Sequence, residues 1–238
     1  MQNIVVTGGS GAIGSTFVSE LARRYPQARV HCLSRGPAAA ASPNIRCLQV
    51  DYETEDSLQA AAEQVAQAGA VDLVVVAGGI LHQHDIMPEK SLREVSAEKF
   101  LTLFTANTIA PALIAKHFLP LQPRDRRAVF AALSARVGSI SDNHLGGWYA
   151  YRASKAALNM VIRNAAIETR RRNAEAIVVG MHPGTVNSNL SRPFQRNLAA
   201  GQLFSPEVSV ARMLDVIDRL EPEDSGHCIA WDGTRIAP

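Results

Sequence analysis

Thr7-Gly8-Gly9-Ser10-Gly11-Ala12-Ile13-Gly14 decides the fold of this chain. It follows an apolar, largely β-branched run over residues 3–7 and opens a segment of helical period over 12–24. Strand, glycine turn and helix in that order are the first half of a βαβ unit, the context in which such a turn holds a dinucleotide. Glycine lets the backbone turn tightly and approach phosphate oxygens, while a helix N-terminus offers unpaired amides and partial positive charge. Gly8, Ser10, Gly11, Ala12, Ile13 and Gly14 are the residues expected to face a pyrophosphate.

Outward from that turn, short apolar runs alternate with longer helical segments. Strands are expected at 29–33, 45–50, 71–76, 128–133, 176–181 and 227–231, and helices at 55–68, 97–118, 149–172 and 206–220. Such alternation implies one α/β domain over 1–238, doubly wound and Rossmann-type. Its mostly parallel sheet should have about seven strands, with helices on both faces. The Gly/Pro/Ala-rich stretch 36–43 reads as a surface loop within that domain.

The bulk numbers narrow the function classes. Of 238 residues, 47% are hydrophobic and 19% charged, enough for a large core in one domain. The formal charge is +2 from 24 basic and 22 acidic residues, with no long basic run, so neither nucleic acid nor an anionic membrane is implied. Arg170-Arg171-Arg172 suits the C-terminal end of a helix. Cys32, Cys47 and Cys228 are dispersed, without metal-ligand spacing, and fit free thiols in a reducing compartment. No metal is expected. No basic-then-apolar leader precedes the first strand, and no apolar run approaches the roughly 20 residues of a membrane span. A cytoplasmic location is therefore expected.

Two further features carry chemistry. After the second strand stands Ser34-Arg35 with no acid nearby. A carboxylate there would suit the ribose hydroxyls of NAD, whereas a hydroxyl and a guanidinium suit the 2′-phosphate of NADP. NADP(H) is expected, with NAD(H) the alternative. Farther on, Tyr151 and Lys155 lie four residues apart in Tyr-Ala-Tyr-Arg-Ala-Ser-Lys, which on a helix puts them on one face about 6 Å apart. An ammonium beside a phenol favours the phenolate, lowering its pKa from about 10 and making an acid/base for hydride chemistry.

Together, Thr7-Gly8 to Gly14, Asp51-Tyr52, Asn107 with Pro111, Tyr151-x-x-x-Lys155 and Pro183-Gly184-x-Val186-x-Ser188 resemble the short-chain dehydrogenase/reductase family along essentially the whole chain. Residues 138–143, Gly-Ser-Ile-Ser-Asp-Asn, followed by Gly-Gly-Trp-Tyr-Ala-Tyr-Arg-Ala-Ser-Lys, resemble its branch of C-factor-like proteins and sniffer-type carbonyl reductases. The resemblance implies Tyr151 as proton donor and Lys155 as the ribose-binding residue that lowers its pKa. It implies that Asn107 holds a relay water and Asp51 meets the adenine edge. Tyr52, Ala77, Gly78 and Gly79 would lie beside the adenosine, and Pro183, Gly184, Val186 and Ser188 would line the nicotinamide and pyrophosphate. It also implies a homodimer or homotetramer built on helices 97–118 and 149–172, and Trp231-Asp232-Gly233 resembles the family's usual end.

The chain departs from the family pattern at three places. Ala12 replaces a glycine, with Gly11 expected to supply flexibility one position earlier. Val76-Ala77-Gly78-Gly79 lacks the family's asparagines. The catalytic serine position holds Ala135; Ser139, twelve residues before Tyr151, is expected to supply the hydroxyl, with Ser134 the alternative. His82 and His84 are loop residues that would line the mouth of the site. His144 and Trp148 are candidates for substrate contact, and His182 is expected to be structural. Segment 190–204, with Phe194 and Phe204, should cover the pocket. The expected activity is NADPH-dependent reduction of a small or medium uncharged carbonyl compound. The alternative is a weakly active or inactive NAD(P)-binding signalling protein of the C-factor type.

Overall fold

Side chains alternate along β1 (Asn3–Thr7), sending Ile4 and Val6 to one face of a sheet and Val5 to the other. That is the period-two signature of a strand buried on both sides. The structure, a computed structural model, describes residues 1–36, 41–83, 86–196, 198–199 and 201–238. β1 pairs in parallel with β2 (Arg29–Ser34), which carries β3 (Ile45–Gln49). On its other side it pairs with β4 (Leu73–Val76), followed by β5 (Ala128–Leu133) and β6 (Ala176–His182).

The first face is covered by α1 (Ala12–Arg24) and α6 (Pro206–Arg219), through Phe17, Leu21, Val210, Met213 and Ile217. The second is covered by α2 (Glu55–Ala66), α4 (Ala110–Phe118) and α5 (Tyr149–Arg170), through Leu58, Val65, Ile114, Phe118, Leu158 and Ile162. A short parallel ribbon of β7 (Thr185–Val186) and β8 (Leu203–Phe204) stands apart, and β9 (Cys228–Ala230) and β10 (Arg235–Ile236) complete the main sheet. Its order is β10-β9-β6-β5-β4-β1-β2-β3, parallel except for β10 on β9. The doubly wound fold is as expected. The sheet has eight strands rather than about seven because β10 is a two-residue edge, too short to leave a periodic signal.

The expected helix over 97–118 is two. α3 (Ala97–Phe104) and α4 are joined through a wide turn at Thr105–Ile109, in which the Ala110 amide bonds Thr105 O, five residues back. Polar ties to α5 hold this turn: Thr108 Oγ1 donates to Ser154 O at 2.8 Å and Asn107 Nδ2 to Ser154 Oγ at 3.1 Å. Such single wide turns gather at functional sites. Other main-sheet strands and major helices agree with the expected bounds to within two residues. The chain leaves β1 toward β2 on one side and returns to β4 on the other. The crevice between the carboxyl ends of β1 and β4 is therefore the switch point where such sheets bind ligands.

Candidate active site

The turn after β1 is built on contact with the segment after β4. Gly8 has φ +71°, and a Cβ there would lie 2.8 Å from Gly78 N; a Cβ on Gly14 would lie 2.1 Å from Gly8 O. Only glycine fits either place. Gly11 is different: its φ of −79° is ordinary, and its amide donates to Gly8 O at 2.9 Å. The flexibility expected of Gly11 therefore belongs to Gly8, and what Gly11 offers is close approach, a Cβ there meeting Gly8 O at 3.3 Å. No side chain caps α1, so its first-turn amides at Ala12 and Ile13 have no capping side-chain acceptor. Tyr52 locks the turn to β2, its hydroxyl donating to Leu33 O at 2.6 Å and accepting from Gly8 N at 2.8 Å. Burial pushes that phenol up to about 12, so it stays a donor.

A cavity of about 440 Å³ opens here, lined among others by Gly8, Ser10, Gly11, Arg35, Tyr52 and Ala77 to Gly79. Arg35 is exposed at its lip. Ser34 is not available as expected: it is buried, and its hydroxyl donates to Gly36 O at 2.7 Å, spent on turning the chain after β2. Asp51 is not on the cavity wall either. Its carboxylate accepts from Glu53 N at 3.0 Å and Thr54 Oγ1 at 2.8 Å, which hold it below the usual carboxylate range with help from Arg35. The residues following it, Tyr52 and Glu53, form the wall instead. This cradle fits a dinucleotide: glycines where a Cβ would collide, uncapped helix amides, and a cation at the ribose end.

A second cavity of about 280 Å³ shares Ala77, Gly78 and Gly79 with the first. Ile13, Ala135, Tyr151, Lys155, Pro183, Gly184, Val186 and Ser188 line it. The first turn of α5 delivers Tyr151, and the next turn delivers Lys155, whose Nζ lies 5.9 Å from the Tyr151 ring centroid. Lys155 Nζ donates to Leu133 O at 2.9 Å, the carbonyl at the end of β5. Both groups are buried. Burial pushes Tyr151 up to about 12 and Lys155 down to about 8. In the chain by itself, desolvation thus outweighs the ammonium, and the lowered phenol expected from the spacing is not found.

Three further residues of the expected site are held by specific partners. Asn107 is fully buried, its Nδ2 donating to Ile80 O and Ser154 Oγ and its Oδ1 accepting from Ile80 N. Both amide protons are spent on bracing the segment after β4 against α5, which leaves the main-chain oxygen, four residues before the N–H-less Pro111, as the atom open to a relay water. Ser139 does not swing into the gap at Ala135. Its hydroxyl accepts from Asp142 N at 3.1 Å and donates to Pro238 O at 3.4 Å, so the turn after β5 consumes it. Ser134 does line the cavity, yet its hydroxyl donates to Asn159 Oδ1 at 2.7 Å on α5. Ala135 itself stands on the wall at the expected serine place.

Around the mouth, Phe194 and Trp148 line the cavity, whereas Phe204 turns away to pack edge-on against Trp231 at 4.8 Å under the Arg212 guanidinium. Phe204 anchors the base of the 187–202 segment rather than covering the pocket. His144 is exposed and off the wall. His82 Nε2 lies 3.1 Å from Asn189 O, and His84 falls outside the described residues, as do 37–40 of the expected surface loop. His182 lines the cavity and burial pushes it down to about 4, leaving a neutral ring.

Sequence reasoning missed Glu89. This buried residue accepts the Trp148 amide on its main-chain oxygen at 2.6 Å and the Ala150 amide on Oε2 at 3.3 Å, and so seats the start of α5. Its sequence neighbours give no periodic cue. Only the long-range pairing exposes its role.

The family model for short chain dehydrogenases matches residues 2–199. An uncharacterized oxidoreductase of Schizosaccharomyces pombe is 27% identical over 250 residues, covering 97% of this chain and 96% of that protein. The C-signal protein of Myxococcus xanthus is 34% identical over 146 residues, covering 61% of this chain and 82% of that one. The crystal structure of an NADPH-bound carbonyl reductase from chicken fatty liver superposes with a TM-score of 0.86 at 26% identity, covering 100% of this chain and 99% of that one.

Proposed function

The chain belongs to the short-chain dehydrogenase family, and from that premise we propose that this oxidoreductase is an NADPH-dependent carbonyl reductase. The observation that carries the reading is the Tyr151/Lys155 pair on the wall of a cavity that shares Ala77, Gly78 and Gly79 with the glycine cradle. The cofactor, when bound, supplies the hydride. Gly8, Ser10, Gly11 and the first amides of α1 would hold its pyrophosphate, Arg35 its 2′-phosphate, and Lys155 its nicotinamide ribose. Pro183, Gly184, Val186 and Ser188 would bound the nicotinamide end.

Tyr151 is kept protonated at neutral pH, being pushed up to about 12 by burial. Its hydroxyl therefore donates to the carbonyl oxygen of the substrate and hands over its proton as negative charge grows there. The buried Lys155 ammonium then stabilises the phenolate left behind. No second hydroxyl assists at Ala135, so Tyr151 carries the proton transfer without the family's serine. Support for NADP(H) comes from Arg35 and from the NADPH-bound reductase of the same fold. We further read the protein as cytoplasmic, in keeping with three free thiols, and as a homodimer or homotetramer. Among the described residues, no helix is long and apolar enough to cross a membrane.

The test is NADPH oxidation by purified protein with a panel of aldehydes and ketones. Turnover is expected, and Tyr151→Phe should lower it by about a hundred- to ten-thousand-fold. Ala135 at the serine place and the likeness to C-signal favour one other reading, a nucleotide-binding signalling protein with little activity. Tight NADPH binding with no turnover of any carbonyl compound would establish that alternative.

A further inference from the structure

Trp148 is the only residue other than glycine with positive φ among the described residues, at φ 51° and ψ 43°. A bulky side chain in the left-handed region is strained, and such strain persists only where the surroundings dictate it. Here they do. Gly146 and Gly147 precede it at φ +64° and +66°, and the Trp148 amide is tied to Glu89 O at 2.6 Å. A Cβ on Gly147 would stand 3.3 Å from that same oxygen. The carboxylate of Glu89 accepts the next-but-one amide, Ala150 N. The chain is thus bent against its preference immediately before α5, and the product of the bend is the position of the indole.

The indole sits between two other rings. Its centroid is 5.0 Å from that of Phe194 at 58° and 6.2 Å from that of Tyr151 at 70°. Phe194 is in turn met edge-on by His82 at 5.9 Å. Trp148, Phe194 and Tyr151 all line the cavity, with Leu81, Val137 and Leu190 between them. No Arg, Asp or Glu is on the described wall, and Lys155 is already bonded to Leu133 O. A charged substrate finds no partner there. A flat unsaturated group attached to the carbonyl carbon finds ring faces and edges, the arrangement aromatic pairs prefer at centroid separations of about 4.5–7 Å.

We infer that Trp148 and Phe194, packed against each other, form a one-sided aromatic clamp beside Tyr151 that makes this enzyme select uncharged carbonyl compounds bearing an aryl or conjugated planar group. The clamp rests on the carbonyl-reductase reading above and names its substrate class. Trp148 is the specificity-determining residue, because its ring meets both the reacting tyrosine and Phe194. Glu89 is a positioning residue that acts through it.

The test compares 1-phenylethanone with its saturated counterpart 1-cyclohexylethanone. Their intrinsic reactivities differ, so the quantity to follow is the ratio of their kcat/KM values in wild type against Trp148→Leu, which keeps an apolar side chain and loses the ring. That ratio is expected to fall about five-fold or more in Trp148→Leu and to recover in Trp148→Phe. An unchanged ratio overturns the clamp. Binding is read apart from turnover in Trp231→Phe, which leaves Trp148 as the sole one of two tryptophans. With NADP⁺ present, 1-phenylethanol should quench its emission at lower concentration than 1-cyclohexylethanol, and equal quenching by the two also overturns the clamp. Selective quenching without turnover of any carbonyl compound would sink the reductase reading and leave the clamp standing.

Discussion

At the scale of single residues, burial sets the charges of the site. Lys155 is taken out of water with only Leu133 O as acceptor, and its pKa falls from 10.5 to about 8. A base whose folded pKa lies below its unfolded one opposes folding wherever both states are charged. The cost is fully present below about pH 8 and fades as pH rises toward 10.5, where the unfolded chain also releases its proton. Lys155→Met should therefore raise stability at neutral pH while abolishing reduction. The shift corresponds to about 3 kcal/mol and the lost hydrogen bond takes back about 1. A net gain of about 2 kcal/mol is expected in denaturant titrations near pH 7, shrinking as pH climbs past 8. A variant less stable than wild type at neutral pH would contradict this account.

Arg35 offers a second residue-scale prediction. Removing one charge-assisted contact costs about 1.5–3 kcal/mol. Arg35→Ala should thus raise the KM for NADPH by roughly ten- to a hundred-fold and leave that for NADH nearly unchanged. Steady-state kinetics with both cofactors checks it, and an unaltered NADPH/NADH preference would remove the guanidinium from the 2′-phosphate.

At the scale of elements, the wide turn at Thr105–Ile109 does the bracing. Asn107 satisfies both the N–H and the C=O of Ile80, which follows the Ala77–Gly79 wall shared by the two cavities. Asn107→Ala leaves those groups without protein partners in a partly buried place, for about 1–3 kcal/mol. It should also weaken NADPH binding by loosening that wall. Urea unfolding with a lower midpoint and unchanged slope, together with a raised Kd for NADPH, is the expected pair of results. A lowered midpoint with unaltered affinity would confine Asn107 to stability.

The same region shows what a sequence makes legible. Period-two and period-3.6 patterns placed every main-sheet strand except β10, and Tyr151 and Lys155, four residues apart, lie together with Lys155 Nζ 5.9 Å from the Tyr151 ring centroid. What periodicity does not carry is where a hydroxyl or amide finds its partner. Ser139 and Asn107 are polar residues at plausible places, yet each bonds a carbonyl that only the folded chain brings near, while Ser34 is spent on Gly36 O two residues on. Phe204 was legible as apolar but not as the partner of Trp231, 27 residues farther along the chain.

At the scale of the whole molecule, the two-sided core leaves one kind of surface unexplained. Met160 and Ile167 on α5 are seven residues apart, hence on one face, and both are exposed at 61% and 45%. Leu101 on α3 and Ile109 at the wide turn are exposed as well. A single exposed aliphatic residue is ordinary, but a stripe on the helix that carries Tyr151 and Lys155 gains a role if it pairs with itself across a two-fold axis. Burying that stripe would stiffen α5 just where its other face positions the catalytic pair, so assembly and activity should be linked. Sedimentation is expected to give a multiple of 25.6 kDa for the wild type. Met160→Glu together with Ile167→Glu should bring it to one chain and lower kcat more than KM, because the stripe lies on α5, which carries the catalytic pair, and the glycine turn of the cofactor cradle leads into α1. A wild-type chain that sediments singly, or a double variant that stays assembled, would show that the stripe faces solvent and that α5 needs no second copy to hold its reactive face.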